Sequence, residues 1–162
     1  MPDSNPNSNP ESNSGPDWDH PGAFINDMVV PESDIDALAH ANNTAYLRWL
    51  EETAWLHAES LGMSWQHYQE MNVAVVVRRH ELDYLAATFA GEALQVATWI
   101  IKNDERLSLW RGFQIIRKRD NKTVMRATSH FVCVRLDSGR ACRMPEAFKR
   151  AYAATPPEIS KP

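Results

Sequence analysis

The 162-residue sequence predicts one α+β domain, made of an antiparallel sheet and a single long helix. A long, largely apolar helical segment follows one short strand-like run. Beyond residue 72 the chain is rich in β-branched and alternating segments, and short turn sequences separate them. Strands joined by short turns pair antiparallel, so we expect a sheet that wraps around the helix.

The long helix is predicted over residues 44–61, after a first strand over residues 24–30. Asn43 or Thr44 is expected to cap its start, and Gly62 is expected to follow its end as the C′ residue. Its charges form one narrow stripe, made of Arg48, Glu52 and Glu59. Almost all its other side chains are apolar, so we expect the helix to be buried on most sides.

Four more strands are predicted, over residues 73–85, 94–102, 107–118 and 123–136. Turn sequences fall at residues 102–104, 120–122 and 137–139, and Pro145 opens a short final helix. The strand that begins Val73-Ala74-Val75-Val76-Val77 would promote aggregation if it lay uncovered at a sheet edge. It is therefore either internal to the sheet or paired with its own copy in an isologous dimer.

The ends of the chain differ in composition from its centre. Residues 1–22 are dominated by Asn, Ser, Pro and Asp without an aliphatic run, which predicts a disordered tail. The folded domain is expected over residues 23–154, with a flexible C-terminus over 155–162. The carboxylates of the tail account for the whole formal charge of −4, so nothing indicates a nucleic-acid surface.

The sequence also bears on the compartment and on redox or metal chemistry. It has no basic start followed by an apolar run, and no run long enough to cross a bilayer, so a cytoplasmic protein without a membrane partner is expected. Cys133 and Cys142 lack the spacing of a zinc or redox motif. Cys133 is expected in the core of a strand.

Chemically capable side chains are densest just before the long helix, in DIDALAHANNTAY (residues 34–46). A carboxylate held against a helix N-terminus can attack a carbonyl or activate water, while unpaired N–H groups receive the oxyanion. An acyl-transfer site is therefore indicated. Asp34 is expected to order the loop by hydrogen bonds to backbone N–H groups. No metal is expected, because Asp34, Asp36 and His40 lack a fourth ligand at short spacing.

The chain resembles the hotdog-fold thioesterases, specifically the 4-hydroxybenzoyl-CoA thioesterase-like group of acyl-CoA hydrolases. The motifs that carry this resemblance are SDIDALAHANNTAYLRWLEE (33–52), VRRHELDYL (77–85), Gly91-Glu92, DSGR (137–140) and RMPE (143–146). The resemblance implies a hotdog fold, with a five-stranded antiparallel sheet around one central helix. It further implies hydrolysis of an acyl-CoA to a free acid and CoA, by a homodimer or a dimer of dimers with sites between subunits.

The resemblance also implies roles for individual residues. Asp36 matches the catalytic carboxylate, which acts as nucleophile or general base, and backbone N–H groups from Asn43 to Tyr46 would polarise the carbonyl. His40 matches a histidine that contributes in the similar plant acyl-ACP thioesterases, whereas Leu38 replaces an asparagine of those enzymes. This departure favours a mechanism centred on Asp36. Ala39 stands where glycine is common, which is tolerated if the turn needs no positive φ.

Coenzyme A would be part of the substrate, so the resemblance implies no separate cofactor. Its phosphates call for cationic side chains, and Arg78, Arg79 and Arg143 are the candidates. Four further residues are candidates as well, and most of the whole set is expected to lie on solvated strand faces: Arg111, Arg117, Lys118 and Arg119. Two other functions stay open, an acyl-ACP thioesterase and a non-catalytic acyl-CoA-binding module. A hotdog dehydratase is disfavoured, because its histidine motif is not recognisable.

Overall fold

A computed structural model describes residues 15–157 and confirms the predicted α+β architecture. The elements in chain order are β1 (Phe24–Val29), α1 (Asn43–Ser60), α2 (Trp65–Met71), β2 (Val73–Tyr84), β3 (Ala93–Asn103), β4 (Ser108–Arg117), β5 (Lys122–Arg135) and α3 (Glu146–Ala151). The strands form one antiparallel five-stranded sheet in the order β1-β3-β4-β5-β2. In the described part of the chain, no helix is long and apolar enough to cross a membrane.

Helix α1 begins one residue earlier than predicted. Its N-cap is Asn42, and not Asn43 or Thr44. The Asn42 side chain accepts a hydrogen bond from the Thr44 N–H at 2.9 Å. Gly62 has a φ of +82° just past the end, as expected of a C′ residue.

The prediction that α1 is buried on most sides was wrong. Trp55 and Leu56 are 37% and 42% exposed, and the buried residues lie along one face. That face packs on the sheet, with Tyr46, Trp49 and Leu50 against the apolar side chains of β3, β4 and β5.

A second apolar cluster closes the end of α1 with α2 and α3. Phe148 and Tyr152 contribute from α3 and the residue that follows it, and the Tyr152 hydroxyl is hydrogen-bonded to that of Tyr68. Helix α2 was not predicted from the sequence. It spans seven residues, and its capping box uses Ser64 with the His67 imidazole in place of the more usual glutamate.

Within residues 15–157, strand β2 lies at an edge of the sheet and pairs only with β5. Its first residues, Val73 and Ala74, are buried, whereas Val76 and Val77 are 43% and 45% exposed. An internal position for this strand is therefore excluded. A bulge between Val77 and Arg79 interrupts the pairing with β5.

The segment before β1 packs on the sheet face opposite α1, so the predicted tail over residues 1–22 is too long. Gln114 alternates with core residues of β4 and faces away from α1. Its side chain binds the Asp17 carbonyl and the Asp19 N–H, at 3.1 and 2.8 Å. Asp19 also forms a two-bond ion pair with Arg126. Composition missed this docking because it depends on polar contacts and one ring stack and not on an aliphatic run. Residues 1–14 lie outside the described residues.

The chain also remains in contact with the sheet past the predicted boundary at residue 154. The Thr155 N–H donates to the Ile100 carbonyl at 2.9 Å, and its hydroxyl accepts from the Ile100 N–H at 2.8 Å. His20 stacks on Trp99 and bonds the Thr155 carbonyl, which joins the two ends of the domain. Residues 158–162 lie outside the described residues.

Candidate active site

Asp36 occupies a tight hairpin between β1 and α1. An isolated bridge between Ile35 and Ala41 closes the hairpin, and the Asp36 N–H donates to the His40 carbonyl at 3.1 Å. One carboxylate oxygen of Asp36 accepts from the Leu38 N–H at 2.8 Å. Among the described residues the carboxylate has no cationic partner. The hairpin thus orients Asp36 without neutralising it.

The same hairpin places Ala39 in the left-handed region, with a φ of +64°. The Ala39 N–H donates to the Asp36 carbonyl at 3.0 Å, which closes the turn. Alanine in place of the common glycine was expected to be tolerated only if the turn needed no positive φ at residue 39. The turn does need a positive φ there, so this condition is not met. An alanine is strained there, and a glycine would not be.

Asp34 holds the hairpin against α1. Its carboxylate is ion-paired with Arg48 and accepts from the Trp49 indole N–H at 2.9 Å. Its carbonyl accepts from the Asn42 N–H at 2.8 Å. Asp34 thus orders the loop as predicted, but its carboxylate contacts side chains of α1 and not backbone N–H groups.

The start of α1 retains an unpaired backbone donor. The Thr44 N–H is capped by the Asn42 side chain, and the Ala45 N–H donates to the Asn42 carbonyl at 2.9 Å. The Asn43 N–H has no hydrogen-bond partner among residues 15–157. Such a donor, at the positive end of the helix dipole, suits a carbonyl oxygen that gains negative charge.

His40 and Tyr46 differ in where the structure places their side chains. The His40 imidazole is half-buried and meets the Phe89 ring edge-on, with 6.1 Å between ring centroids. The Tyr46 side chain is buried, and its hydroxyl is bonded to Thr88 Oγ1 at 2.8 Å. Tyr46 therefore anchors α1 in the core, whereas His40 remains beside the hairpin.

A cavity of about 570 Å³ lies between α1, α2, the first half of β2 and the middle of β4. Along α1 it extends from Leu47 to Ala58, about 16 Å at the rise of a helix. Its walls are mostly apolar, and its polar lining residues are Glu51, Tyr68, His80, Arg111 and Tyr152. A cavity of this size and character is typical of a small-molecule site.

Sequence reasoning missed a row of three polar side chains that crosses neighbouring strands of the sheet at the floor of this cavity. Register places His80, Ser129 and Arg111 opposite one another on β2, β5 and β4. His80 Nδ1 is bonded to Ser129 Oγ at 2.7 Å, and burial lowers the pKa of His80, although the nearby Glu51 charge opposes the shift. The alternation of Arg111 with Phe113 and Ile115 along β4 was the available signal.

The three arginines proposed for coenzyme A do not form one cluster. Arg78 and Arg79 sit at the β2 bulge, between the cavity residues Val77 and His80, and Arg79 is ion-paired with Glu81. Arg143 is exposed. It belongs to a segment that pairs with β5 on the side of β5 away from β2. Of the wider set, Arg111 and Arg117 are buried and not solvated.

Within residues 15–157, no group of three or more His, Cys, Asp or Glu side chains could hold a metal ion. The predicted position of Cys133 in a strand core is confirmed, since it is fully buried in β5.

Comparison with known proteins places this geometry in a family. The sequence model of the thioesterase-like superfamily matches residues 30–152. No curated protein matches the chain. Among solved structures, a 1,4-dihydroxy-2-naphthoyl-CoA thioesterase from Synechocystis is 19% identical over 80% of this chain and 95% of its own, with a TM-score of 0.73.

Two further structures share the fold. A Staphylococcus aureus protein solved in complex with CoA is 17% identical, covering 86% of this chain and 89% of its own, with a TM-score of 0.76. A probable thioesterase from Escherichia coli is 23% identical, covering 78% and 94%, with a TM-score of 0.68. The hotdog fold inferred from the motifs is confirmed, and the chain belongs to the thioesterase-like superfamily.

Proposed function

We propose that the protein hydrolyses an acyl-CoA thioester to a free acid and CoA, with Asp36 as the catalytic carboxylate. The observation that carries this proposal is the presence of two features in the segment that leads into α1. The Asp36 carboxylate is held by a single backbone N–H and has no cationic partner, and the Asn43 N–H is unpaired nearby in sequence, among the described residues.

In this proposal the thioester carbonyl lies against the start of α1. Asp36 attacks the carbonyl carbon, or removes a proton from the water that attacks it, and the Asn43 N–H stabilises the oxyanion. The carbon–sulfur bond then breaks, and the CoA thiolate leaves and takes up the proton that Asp36 removed from water, or a proton from solvent where Asp36 itself attacked. In the second case the acyl group is left as a mixed anhydride with Asp36, and water hydrolyses it to the free acid and restores the carboxylate. His40 fixes Asp36 through its backbone carbonyl, which accepts the Asp36 N–H.

The acyl group would enter the apolar cavity beside α1. Arg78 and Arg79 flank that cavity on β2 and are proposed to meet the CoA phosphates. The free edge of β2 supports a homodimer through that strand, since a partner there would extend the sheet and cover Val76 and Val77. A dimer of dimers stays part of this proposal.

The test is Asp36→Asn, which keeps side-chain volume but removes the negative charge. We expect CoA release to fall by a factor of about 10² to 10⁴. A non-hydrolysable acyl-CoA analogue should still bind with little loss. Asp27→Asn, on the exposed edge of β1, is the matched control and should keep full activity.

Two outcomes would reject the assignment. If Asp36→Asn released CoA at the wild-type rate, Asp36 would not be the catalytic group. If wild-type protein bound the analogue tightly but released no CoA from any aliphatic or aromatic acyl-CoA, the protein would be a binding module.

A further inference from the structure

Arg111 is a buried cation that has no carboxylate partner in the described part of the chain. It lies in the middle of β4, is 3% exposed, and lines the cavity under α1. Its Nη1 donates to His57 Nδ1 at 2.8 Å and to Thr98 Oγ1 at 3.3 Å. Its Nε has no hydrogen-bond partner among residues 15–157. Unsatisfied buried donors on a charged group are costly, so they need an explanation.

The groups around Arg111 are neutral at physiological pH. Burial, and then the Arg111 charge, lower the pKa of His57 to about 4, so its imidazole is uncharged. Burial raises the pKa of Tyr68 and of Tyr152, so both phenols keep their protons. Burial lowers the pKa of Arg111 only to about 10, so the guanidinium keeps its charge.

Arg111 places this positive charge at one end of the cavity. Arg111 contacts His57, near the C-terminal end of α1, whereas the cavity begins at Leu47 in the first turns of that helix. Tyr68 and Tyr152 line the same deep part. The cavity therefore has a wall along α1 that is apolar except for Glu51, and a cationic, hydroxyl-lined end far from the start of the helix.

We propose that this cavity takes an acyl chain that ends in a second carboxylate, which Arg111 binds at the deep end. The inference rests on the proposed thioester hydrolysis and narrows its substrate to ω-carboxyacyl-CoA. A guanidinium binds a carboxylate through paired N–H donors, and Arg111 lines the cavity with a buried Nε that is unpaired among residues 15–157. The ligand would thus supply the counter-charge that the described chain lacks.

The test compares matched acyl-CoA pairs that differ only at the distal end: adipoyl with hexanoyl, suberoyl with octanoyl, and sebacoyl with decanoyl. We expect kcat/KM to favour the dicarboxylic member of at least one pair by about 10² or more, as for sites built around a polar group of the substrate. Arg111→Met should abolish or reverse this preference. Arg126→Met, on the opposite face of the sheet, should keep it.

A binding measurement covers the case in which Arg111→Met does not fold. Asp36→Asn should bind a thioether analogue of suberoyl-CoA more tightly than the octanoyl analogue by a similar factor, and Arg111→Lys should reduce that factor. Equal or weaker binding of the suberoyl analogue would overturn the inference. So would a preference for 4-hydroxybenzoyl-CoA over every dicarboxylic member, which would assign the deep end to a phenol.

These results separate the two proposals. Hydrolysis of plain acyl chains without a dicarboxylic preference would reject the role of Arg111 and leave thioester hydrolysis standing. Tight binding of a dicarboxylic analogue without CoA release would reject thioester hydrolysis and leave the role of Arg111 standing.

Discussion

Nη1 of Arg111 donates a hydrogen bond to Nδ1 of His57 at 2.8 Å, beneath the last turns of α1. A guanidinium has no acceptor, so Nδ1 must be unprotonated and the imidazole neutral. The Phe24 ring stacks on the His57 ring, with 5.2 Å between ring centroids. This neutral histidine has a consequence for stability.

His57 should make the fold sensitive to mild acid. Its pKa is lowered in the folded state from 6.5 to about 4, by burial first and then by the Arg111 charge. The unfolded chain therefore takes up a proton first as pH falls. Stability is retained above pH 6.5 and is lost progressively between 6.5 and 4, by at most about 3 kcal/mol.

Urea unfolding at a series of pH values measures this effect. His57→Gln keeps an acceptor for Arg111 but cannot be protonated, so its stability should change less over the same interval. An identical pH profile for the two proteins would show that His57 is not the group responsible.

Ala39→Gly should stabilise the hairpin that carries Asp36. Ala39 has a φ of +64°, where a side chain is strained and glycine is not. We expect a gain of about 1 kcal/mol in the free energy of unfolding. Thermal melts of the two proteins measure it. Ala37→Gly, in the same hairpin but outside the left-handed region, should be neutral or destabilising; equal gains at both sites would argue against strain.

The segment before β1 should contribute to stability through polar contacts. Removing residues 1–22 takes the Asp17 and Asp19 partners away from Gln114, a side chain with no exposed surface, and from Arg126. We expect the Tm to fall by a few degrees, consistent with a loss of about 1 kcal/mol. Removing only residues 1–14 should leave those contacts intact and the Tm unchanged. Equal melts for the two truncations would show that the docked segment adds nothing.

The sequence predicted the elements well where local patterning decides structure. Alternation located the strands, and Gly62 located the end of α1. Helix α2 was missed, because a seven-residue helix with a histidine in its capping box carries little periodic signal. The docked segment at Asp17 to Gly22 was missed because its partners lie about a hundred residues away in the chain.

The candidate site was predictable in part. The carboxylate of Asp36 and the helix start were readable from a local motif. The cavity beside α1 was not, because its lining comes from α1, α2, β2, β4 and β5 at once. Arg111 was one of the candidates for the CoA phosphates, in a set expected mostly on solvated faces, although its spacing from Phe113 and Ile115 placed it on the core side of β4.

The free edge of β2 should make the oligomeric state sensitive to one charge. Val77 is 45% exposed at that edge and lines the cavity, so a partner strand paired with β2 would cover it. A carboxylate buried there without a counter-charge is costly. Val77→Glu should therefore convert a wild-type dimer to monomers, as measured by light scattering coupled to size-exclusion chromatography at several protein concentrations.

The opposite edge supplies the control for this change. Val29 is 60% exposed on β1, the other outer strand, and Val29→Glu introduces the same charge in a similar setting. This variant should remain dimeric and active, because the proposed interface does not include β1. If the proposed site lies between subunits, monomeric Val77→Glu should also lose CoA release. A wild-type protein that is monomeric and fully active would exclude both the β2 interface and a site shared between subunits.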